Sequence, residues 1–114
     1  MSLFERLFGS PIPQTNPVDV KKKITQNPKP IILDVRQPVE YQHGHIQGSK
    51  LIPLNELPEK MKQLPRDREI ICVCQSGSRS HSATRYLVSA GFTAVDMKGG
   101  MNLWLQSGLP IQRG

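Results

Sequence analysis

Two short apolar runs, at residues 31–35 and 69–74, constrain the fold of this chain more than any other feature. Both are rich in β-branched residues and both are bounded by polar or turn-forming residues, which is typical of strands buried on both faces. Helical patterns are found over residues 56–63 and 79–90. Strands that alternate with helices predict parallel crossovers. We therefore expect an α/β fold in three layers, with a central, mostly parallel sheet flanked by helices on both faces.

Cap and turn signals predict the remaining elements. Asn16 as N-cap and Pro17 at the first helical position predict a helix before the first strand. Asn55 is expected to cap the helix over residues 56–63. The other short elements are a helical turn at residues 38–42, strands at 50–53 and 93–97, and a helix after Gly99 and Gly100.

Residues 1–14 are expected to form an irregular lead before a single domain over residues 15–114. Phe4, Leu7 and Phe8 could form one turn of an amphipathic helix, but a frayed or loosely docked tail is favoured because short isolated helices are marginal. The lead has no apolar stretch typical of a secretory signal, and no run approaches the roughly 20 residues that span a bilayer. We expect no transmembrane segment and a cytoplasmic location.

The composition indicates a single ordered domain. The chain has 114 residues, of which 37% are hydrophobic and 21% are charged, and these values exclude a disordered or membrane-embedded protein. The net charge of +6 favours an anionic small substrate, an acidic partner or nucleic acid. The basic residues are scattered except at positions 21–23, where a solvated helix face is the simpler interpretation. We expect no nucleic-acid partner.

The two cysteines, Cys72 and Cys74, are too few for a disulfide framework. Cys74 lies at the carboxyl end of a predicted strand and at the entrance to a predicted helix, where α/β folds bind ligands. A thiol has a pKa near ~8.5, which helix N-termini and neighbouring arginines lower. We therefore predict that Cys74 is a nucleophile, ionised and open to solvent. Cys72, on the same strand face, is expected to be a small buried apolar residue rather than a resolving thiol or metal ligand.

The segment after Cys74 has the features of an anion-binding loop. Small residues let consecutive backbone N–H groups curve inward, and the helix dipole adds positive charge. Arg79 can present a forked guanidinium to the same pocket. A thiolate, an oxyanion and a persulfide all suit such a loop. Besides Arg79, the residues expected to bind substrate are Gln75, Ser76, Gly77, Ser78 and Ser80.

Three blocks of this sequence, in the expected order, resemble the rhodanese family. Residues 74–80 (CQSGSRS) resemble the family's active-site loop. The first-strand motif and the segment after it are matched by Asp34-Val35-Arg36 with Glu40 and residues 44–49. The closing segment is matched by Gly99-Gly100-Met101 with Trp104 and residues 108–110. The resemblance covers about residues 15–112 and implies a rhodanese-like domain.

The resemblance also implies an activity, that of a thiosulfate or persulfide sulfurtransferase. Cys74 would take a sulfane sulfur from a small anionic donor such as thiosulfate and pass it to cyanide or to a thiol, with a persulfide as the intermediate. The N–H groups of residues 75–79 would stabilise the persulfide, and Arg79 would bind the donor. The acceptor could also be a protein thiol. No metal or organic cofactor is implied.

The resemblance further implies structural roles for several polar residues. Asp34 and Arg36 are expected to pair with nearby loop groups rather than to act as an acid and an anion ligand. His45 is expected to fix a loop by a hydrogen bond rather than to bind zinc with His43 and His81.

Two other classes of function stay open at this point. A phosphatase or arsenate reductase of related architecture also places Cys and Arg around a helix N-terminus, but with about five residues between them. Here only residues 75–78 intervene, and the smaller ring suits a sulfane sulfur better than a phosphoryl group. Alternatively, the protein is a sulfur relay that serves one protein partner, or a binding module with idle chemistry.

Overall fold

A five-stranded sheet forms the centre of the computed structural model, which describes Leu3 and residues 11–114. The sheet order is β1-β5-β4-β2-β3, and every neighbouring pair is parallel. The prediction of an α/β fold with a parallel sheet is therefore confirmed. The proposed turn at Phe4, Leu7 and Phe8 lies outside the described residues. The strands are β1 (Gln14–Thr15), β2 (Ile31–Asp34), β3 (Lys50–Leu51), β4 (Ile70–Val73) and β5 (Ala94–Met97).

Helices connect the strands, and the first of them begins where the sequence predicts. The N–H of Asp19 donates to Oδ1 of Asn16 at 2.9 Å, which confirms Asn16 as the N-cap of the first helix. Over the described part of the chain, no helix has both the length and the apolar composition needed to cross a bilayer. The helices are α1 (Pro17–Lys23), α2 (Pro38–His43), α3 (Leu57–Lys60), α4 (Ser78–Ser89) and α5 (Gly100–Gln106).

The prediction of one continuous helix over residues 56–63, capped by Asn55, is wrong. The structure has a 3₁₀ turn at Leu54–Glu56, then α3, then a second 3₁₀ turn at Met61–Gln63. Pro58 contributes to this irregularity because it has no N–H for a helical hydrogen bond and restricts the residue before it. Asn55 does not cap α3; its Oδ1 accepts a hydrogen bond from Nε2 of Gln37 at 3.2 Å.

The edge strand β1 was not anticipated from the sequence. It extends the sheet by one strand, with the N–H of Asp96 donating to the carbonyl of Pro13 at 2.9 Å and the N–H of Lys98 donating to that of Thr15 at 3.0 Å. A strand of two residues is too short to show an alternating pattern. Ordered structure thus begins before residue 15, within the segment expected to be an irregular lead.

Side chains on the two faces of the sheet enter two separate cores. Successive residues of a strand point to opposite faces, so Ile70 and Cys72 lie on one side while Ile71 and Val73 lie on the other. The first core contains residues of α3 and α4, and the second contains residues of α1 and α5, which confirms the three layers. Examples are Leu57, Ala83 and Leu87 in the first core, and Val20, Met101 and Trp104 in the second.

Leu87 and Val88 are adjacent on α4 and provide a matched test of this packing. Leu87 is fully buried against the sheet, whereas Val88 is exposed. We expect Leu87→Ala to lower the free energy of unfolding by about 2–5 kcal/mol, because it leaves a cavity in the first core. Val88→Ala should change it by no more than about 0.5 kcal/mol. Urea unfolding followed by circular dichroism measures both; equal losses would contradict the assignment of the core face.

Candidate active site

The sulfur of Cys74 lies between the end of β4 and the start of α4. The N–H of Gly77 donates to Sγ of Cys74 at 3.0 Å. Gly77 has a φ of +118°, a backbone conformation that other residues rarely adopt, and α4 begins at the next residue. One amide of the loop, at the positive end of a twelve-residue helix, is therefore directed at the sulfur.

Cys74 is fully buried, so the expectation that its sulfur is open to solvent is wrong for this structure. The reason is the alternation of the strand, which places Cys74 on the same face as Cys72, under α4. It belongs to the first core, which also contains Val35 and Ala83. A reagent therefore reaches the sulfur only when the loop opens.

The N-terminus of α5 holds the carbonyls of the loop. The N–H of Met101 donates to the carbonyl of Cys74 at 2.8 Å, and the N–H of Asn102 donates to that of Gln75 at 3.0 Å. The N–H and C=O of a trans peptide point in opposite directions, so the next two amides, of Gln75 and Ser76, point away from α5. Glycine at position 100 makes this approach possible, because a Cβ there would lie 2.5 Å from the Cys74 oxygen.

Gln75 is anchored by its side chain. Its Oε1 accepts a hydrogen bond from Nη1 of Arg36 at 2.9 Å, and its Nε2 donates to Oδ1 of Asn102 at 2.7 Å. The side chain of this predicted substrate-binding residue is therefore engaged within the protein, and its backbone carbonyl is held by Asn102. By contrast, Ser76 and Ser78 are exposed.

Asp34 and Arg36 form a buried ion pair with each other, and Arg36 also makes the expected contacts with loop groups. Nη2 of Arg36 lies 2.8 Å from Oδ2 of Asp34, and Nε of Arg36 lies 3.0 Å from Oδ1. Nη2 also donates to the carbonyl of Gly44 at 2.8 Å. With Gln75 as a further partner, the pair has the additional hydrogen bonds that a buried charge requires. It connects β2 to the Cys74 loop and to the loop after α2.

Arg79 forms a bidentate ion pair with Glu40. Nη1 and Nη2 of Arg79 lie 2.7 and 2.8 Å from the two carboxylate oxygens of Glu40. This hydrogen bonding lowers the pKa of Glu40 to about 2, against a smaller opposing effect of burial, and it raises the pKa of Arg79. Attraction to the charge that Cys74 has when it is ionised also contributes to the raised pKa of Arg79. The guanidinium is thus placed to interact with an ionised sulfur while it is bound to Glu40, a pairing that the sequence did not predict.

Cys72 has the properties of an unreactive thiol. It is fully buried, and burial is the main cause that raises its pKa to about 12. The negative charge of Asp96 adds to the rise. The structure agrees with the expectation of a small buried residue.

His45 fixes its loop, as expected. Its Nδ1 lies 2.8 Å from the carbonyl oxygen of Tyr41, and the two rings stack with centroids 3.7 Å apart. Its backbone also pairs with Gln112. Within the described residues, no group of three or more His, Cys, Asp or Glu residues is placed to hold a metal ion.

Sequence analysis missed the role of Asp96 beside this site. Asp96 is 2% exposed, and Oγ of Ser80 donates to its Oδ1 at 2.6 Å. The same Oγ lies 3.3 Å from Sγ of Cys74. The available signal was an acidic residue in the middle of the apolar strand predicted at residues 93–97.

Similarity to known proteins agrees with this geometry. The Rhodanese-like domain family matches residues 16–107. A sulfurtransferase of Allochromatium vinosum is 35% identical over 82 residues, which cover 71% of this chain and 77% of the relative. A thiosulfate sulfurtransferase of Stutzerimonas stutzeri is 36% identical over 80 residues, 69% of this chain and 73% of the relative.

A solved structure of similar fold is the rhodanese-related protein from Thermoplasma volcanium. It superimposes with a TM-score of 0.83 at 36% identity and covers 88% of this chain and 97% of the other. Fold and site thus define an α/β domain with a cysteine loop at a helix N-terminus, whose relatives are named sulfurtransferases. The chain belongs to the rhodanese-like domain family.

The Glu40–Arg79 pair predicts a pH-dependent contribution to stability. The pKa of Glu40 lies below its ordinary 4.5, so the pair stabilises the fold above that pH and its contribution is lost as the pH falls to about 2. We expect Glu40→Gln to lower the free energy of unfolding by about 1 kcal/mol near neutral pH, because solvent screens this partly exposed pair. The difference from the parent should vanish towards about pH 2.

Urea titrations of the parent and Glu40→Gln at several pH values measure this difference. The matched control is Glu59→Gln, which removes a carboxylate from an exposed position. A Glu40→Gln difference that stayed constant between neutral and acidic pH would show that the ionised pair does not stabilise the fold.

Proposed function

We propose that the protein moves a sulfane sulfur from thiosulfate, or from another persulfide donor, to cyanide or a thiol acceptor through a persulfide on Cys74. The observation that carries this proposal is the 3.0 Å hydrogen bond from the N–H of Gly77 to Sγ of Cys74 at the N-terminus of α4. A donor at this point stabilises negative charge on sulfur. The similarity to a protein named thiosulfate sulfurtransferase supports the same conclusion.

In the first step, the Cys74 thiolate attacks the outer sulfur of thiosulfate. A bond forms between Sγ and that sulfur, the sulfur–sulfur bond of thiosulfate breaks, and sulfite leaves with the electron pair. Because Cys74 is buried, this step requires the loop to open. Arg79 would bind the sulfonate oxygens with the N–H groups that Glu40 leaves free, since a guanidinium has five of them.

In the second step, the acceptor attacks the outer sulfur of the persulfide. The sulfur–sulfur bond breaks, and its electron pair returns to Cys74 as the thiolate, so the two steps form a ping-pong cycle. The inward amides of residues 75–77 would stabilise the persulfide anion. Neither step uses a metal or an organic cofactor.

The acceptor class follows from the same loop. Ser76 and Ser78 are exposed on either side of Gly77, so a small thiol or a protein thiol can approach from this side once the loop opens.

We propose the cytoplasm as the location, because its reducing conditions keep Cys72 and Cys74 as free thiols.

Intact-mass measurement after exposure to thiosulfate tests the persulfide. We expect a gain of one sulfur atom that disappears on addition of cyanide, because Cys74 stores the transferred sulfur until an acceptor removes it. Cys74→Ala should show no gain. Cys72→Ala is the matched control and should retain it, since burial keeps that thiol protonated. A gain that persisted in Cys74→Ala, or none in the parent, would refute the proposal.

Arg79→Ala tests how the anionic donor is bound. We expect kcat/KM for thiosulfate to fall about tenfold to a hundredfold, the cost of one or two charge-assisted hydrogen bonds. The loss should be smaller with an uncharged persulfide donor. Glu40→Gln removes the ion pair but keeps the guanidinium of Arg79. If Arg79 acts by binding the donor, this variant should not reproduce the loss of kcat/KM for thiosulfate. An Arg79→Ala variant that used thiosulfate as well as the parent would exclude this role.

A further inference from the structure

A buried carboxylate lies one hydroxyl group away from the sulfur of Cys74. Oγ of Ser80 lies 2.6 Å from Oδ1 of Asp96, 3.3 Å from Sγ of Cys74 and 3.1 Å from the carbonyl oxygen of Gly77. Ser80 is fully buried and Asp96 is 2% exposed. The steps proposed above assign no role to Asp96.

The hydroxyl of Ser80 has one hydrogen for three neighbouring acceptors. The contact with Asp96 is the shortest of the three, and at 2.6 Å it lies in the range of charge-assisted O–H···O⁻ hydrogen bonds. Asp96 therefore takes the hydrogen, and the lone pairs of Oγ remain for other partners. At 3.3 Å from Sγ, they can accept a hydrogen bond from the S–H of Cys74. This arrangement favours a thiol over a thiolate.

Ionisation of Cys74 has a cost in this arrangement. A thiolate needs donors, and the N–H of Gly77 supplies one. Ser80 can supply another only if its hydrogen turns from Asp96 to the sulfur, which leaves the buried carboxylate without that hydrogen bond. The charge of Asp96 also opposes a second negative charge nearby.

We propose that Asp96, acting through the hydroxyl of Ser80, holds the resting Cys74 as a thiol and sets the pH at which the thiolate forms. Asp96 is thus a positioning residue, because it reaches the sulfur only through Ser80. The inference rests on the proposed function, since it concerns control of the same sulfur. One consequence is protection of the resting enzyme, because oxidants attack the thiolate rather than the thiol.

Within residues 11–114, the groups seen to hydrogen-bond with Asp96 are uncharged. From β4, Cys72 is neutral because its pKa is raised to about 12. From α4, Thr84 donates its hydroxyl to the carbonyl of Ser80 at 2.8 Å. Next to β1, the carbonyl of Pro13 accepts the N–H of Asp96.

On the side of the sulfur, the neighbouring cation is Arg79. It interacts electrostatically with Cys74 and is bound to Glu40. Asp34 also acts on Arg79 and is itself paired with Arg36. These pairs stay the same when Asp96 is changed, so a shift in the reactivity of Cys74 then reports on Asp96.

The test is the pH profile of alkylation of Cys74 by iodoacetamide, followed by mass spectrometry of its peptide. We expect Asp96→Asn to move the half-maximal rate to lower pH by about one unit, so that near pH 6 the variant reacts several-fold faster. The substitution removes the charge, and the Asn amide can donate to Ser80, which frees the hydroxyl hydrogen for the sulfur. A merely structural role would change the rate but not the midpoint. A midpoint that is unchanged or higher overturns the proposal.

Ser80→Ala tests the link independently, even if Asp96→Asn fails to fold. If Ser80 accepts from the thiol, its loss should also lower the midpoint; if it donates to a thiolate, the midpoint rises and the proposal is wrong. In the Ser80→Ala background, Asp96→Asn should shift the midpoint by at most about half as much as in the parent. An undiminished shift overturns the role of Ser80. Asp67→Asn, which removes an exposed carboxylate, is the charge-matched control and should leave the midpoint unchanged.

Alkylation needs no sulfur donor, so this result is independent of the persulfide test. If thiosulfate adds no sulfur but Asp96→Asn lowers the midpoint, the proposed function fails and control of Cys74 by Asp96 stands. If sulfur adds normally while the midpoint is unchanged, only the role of Asp96 is lost.

Discussion

The site depends on two hydrogen bonds between backbone groups, from the amides of Met101 and Asn102 to the carbonyls of Cys74 and Gln75. They bind the carbonyl side of the loop to the start of α5, and the loop amides are left to face the other way. Glycine at position 100 is required because the two backbones are in contact there. The loop proposed to bind an anion is thus shaped by main-chain groups that the fold itself orients.

Two ion pairs flank this loop, and they differ in environment. The pair of Asp34 and Arg36 is buried and holds Gln75, so it fixes the shape of the loop. The pair of Glu40 and Arg79 is partly exposed, which is the basis for proposing that its guanidinium binds the anionic donor. Both cations already have carboxylate partners. Stabilisation of a negative sulfur therefore depends mainly on the helix end and the amides, while Asp96 acts in the opposite direction.

Much of this arrangement was predictable from the sequence. The apolar strands before Asp34 and Cys74, the alternation with helices and the Asn16 cap correctly indicated the parallel sheet and the position of the loop at its edge. These signals are local or periodic, so they can be read from a single sequence. β1 has only two residues and no period, and it forms because β5 offers a free edge.

The side-chain partners were less predictable because they come from distant parts of the chain. Glu40 and Arg79 are 39 positions apart, and the sequence contains no signal for their pairing. The burial of Cys74 follows from strand alternation combined with the packing of α4, and only the first of these is visible in the sequence. Asp96 could have been singled out as an acidic residue within a buried strand, but its partner Ser80 is known only from the fold.

The fact that backbone groups shape the loop has a consequence for how such a site can diversify. Ser76 and Ser78 are exposed, and the hydrogen bond that holds the sulfur comes from the backbone of Gly77 between them. Replacing them alters what an incoming molecule meets without disturbing the geometry that holds the sulfur. Under the proposed function, partner preference is thus separable from chemical competence, and changes at these two surface positions would redirect the same reaction.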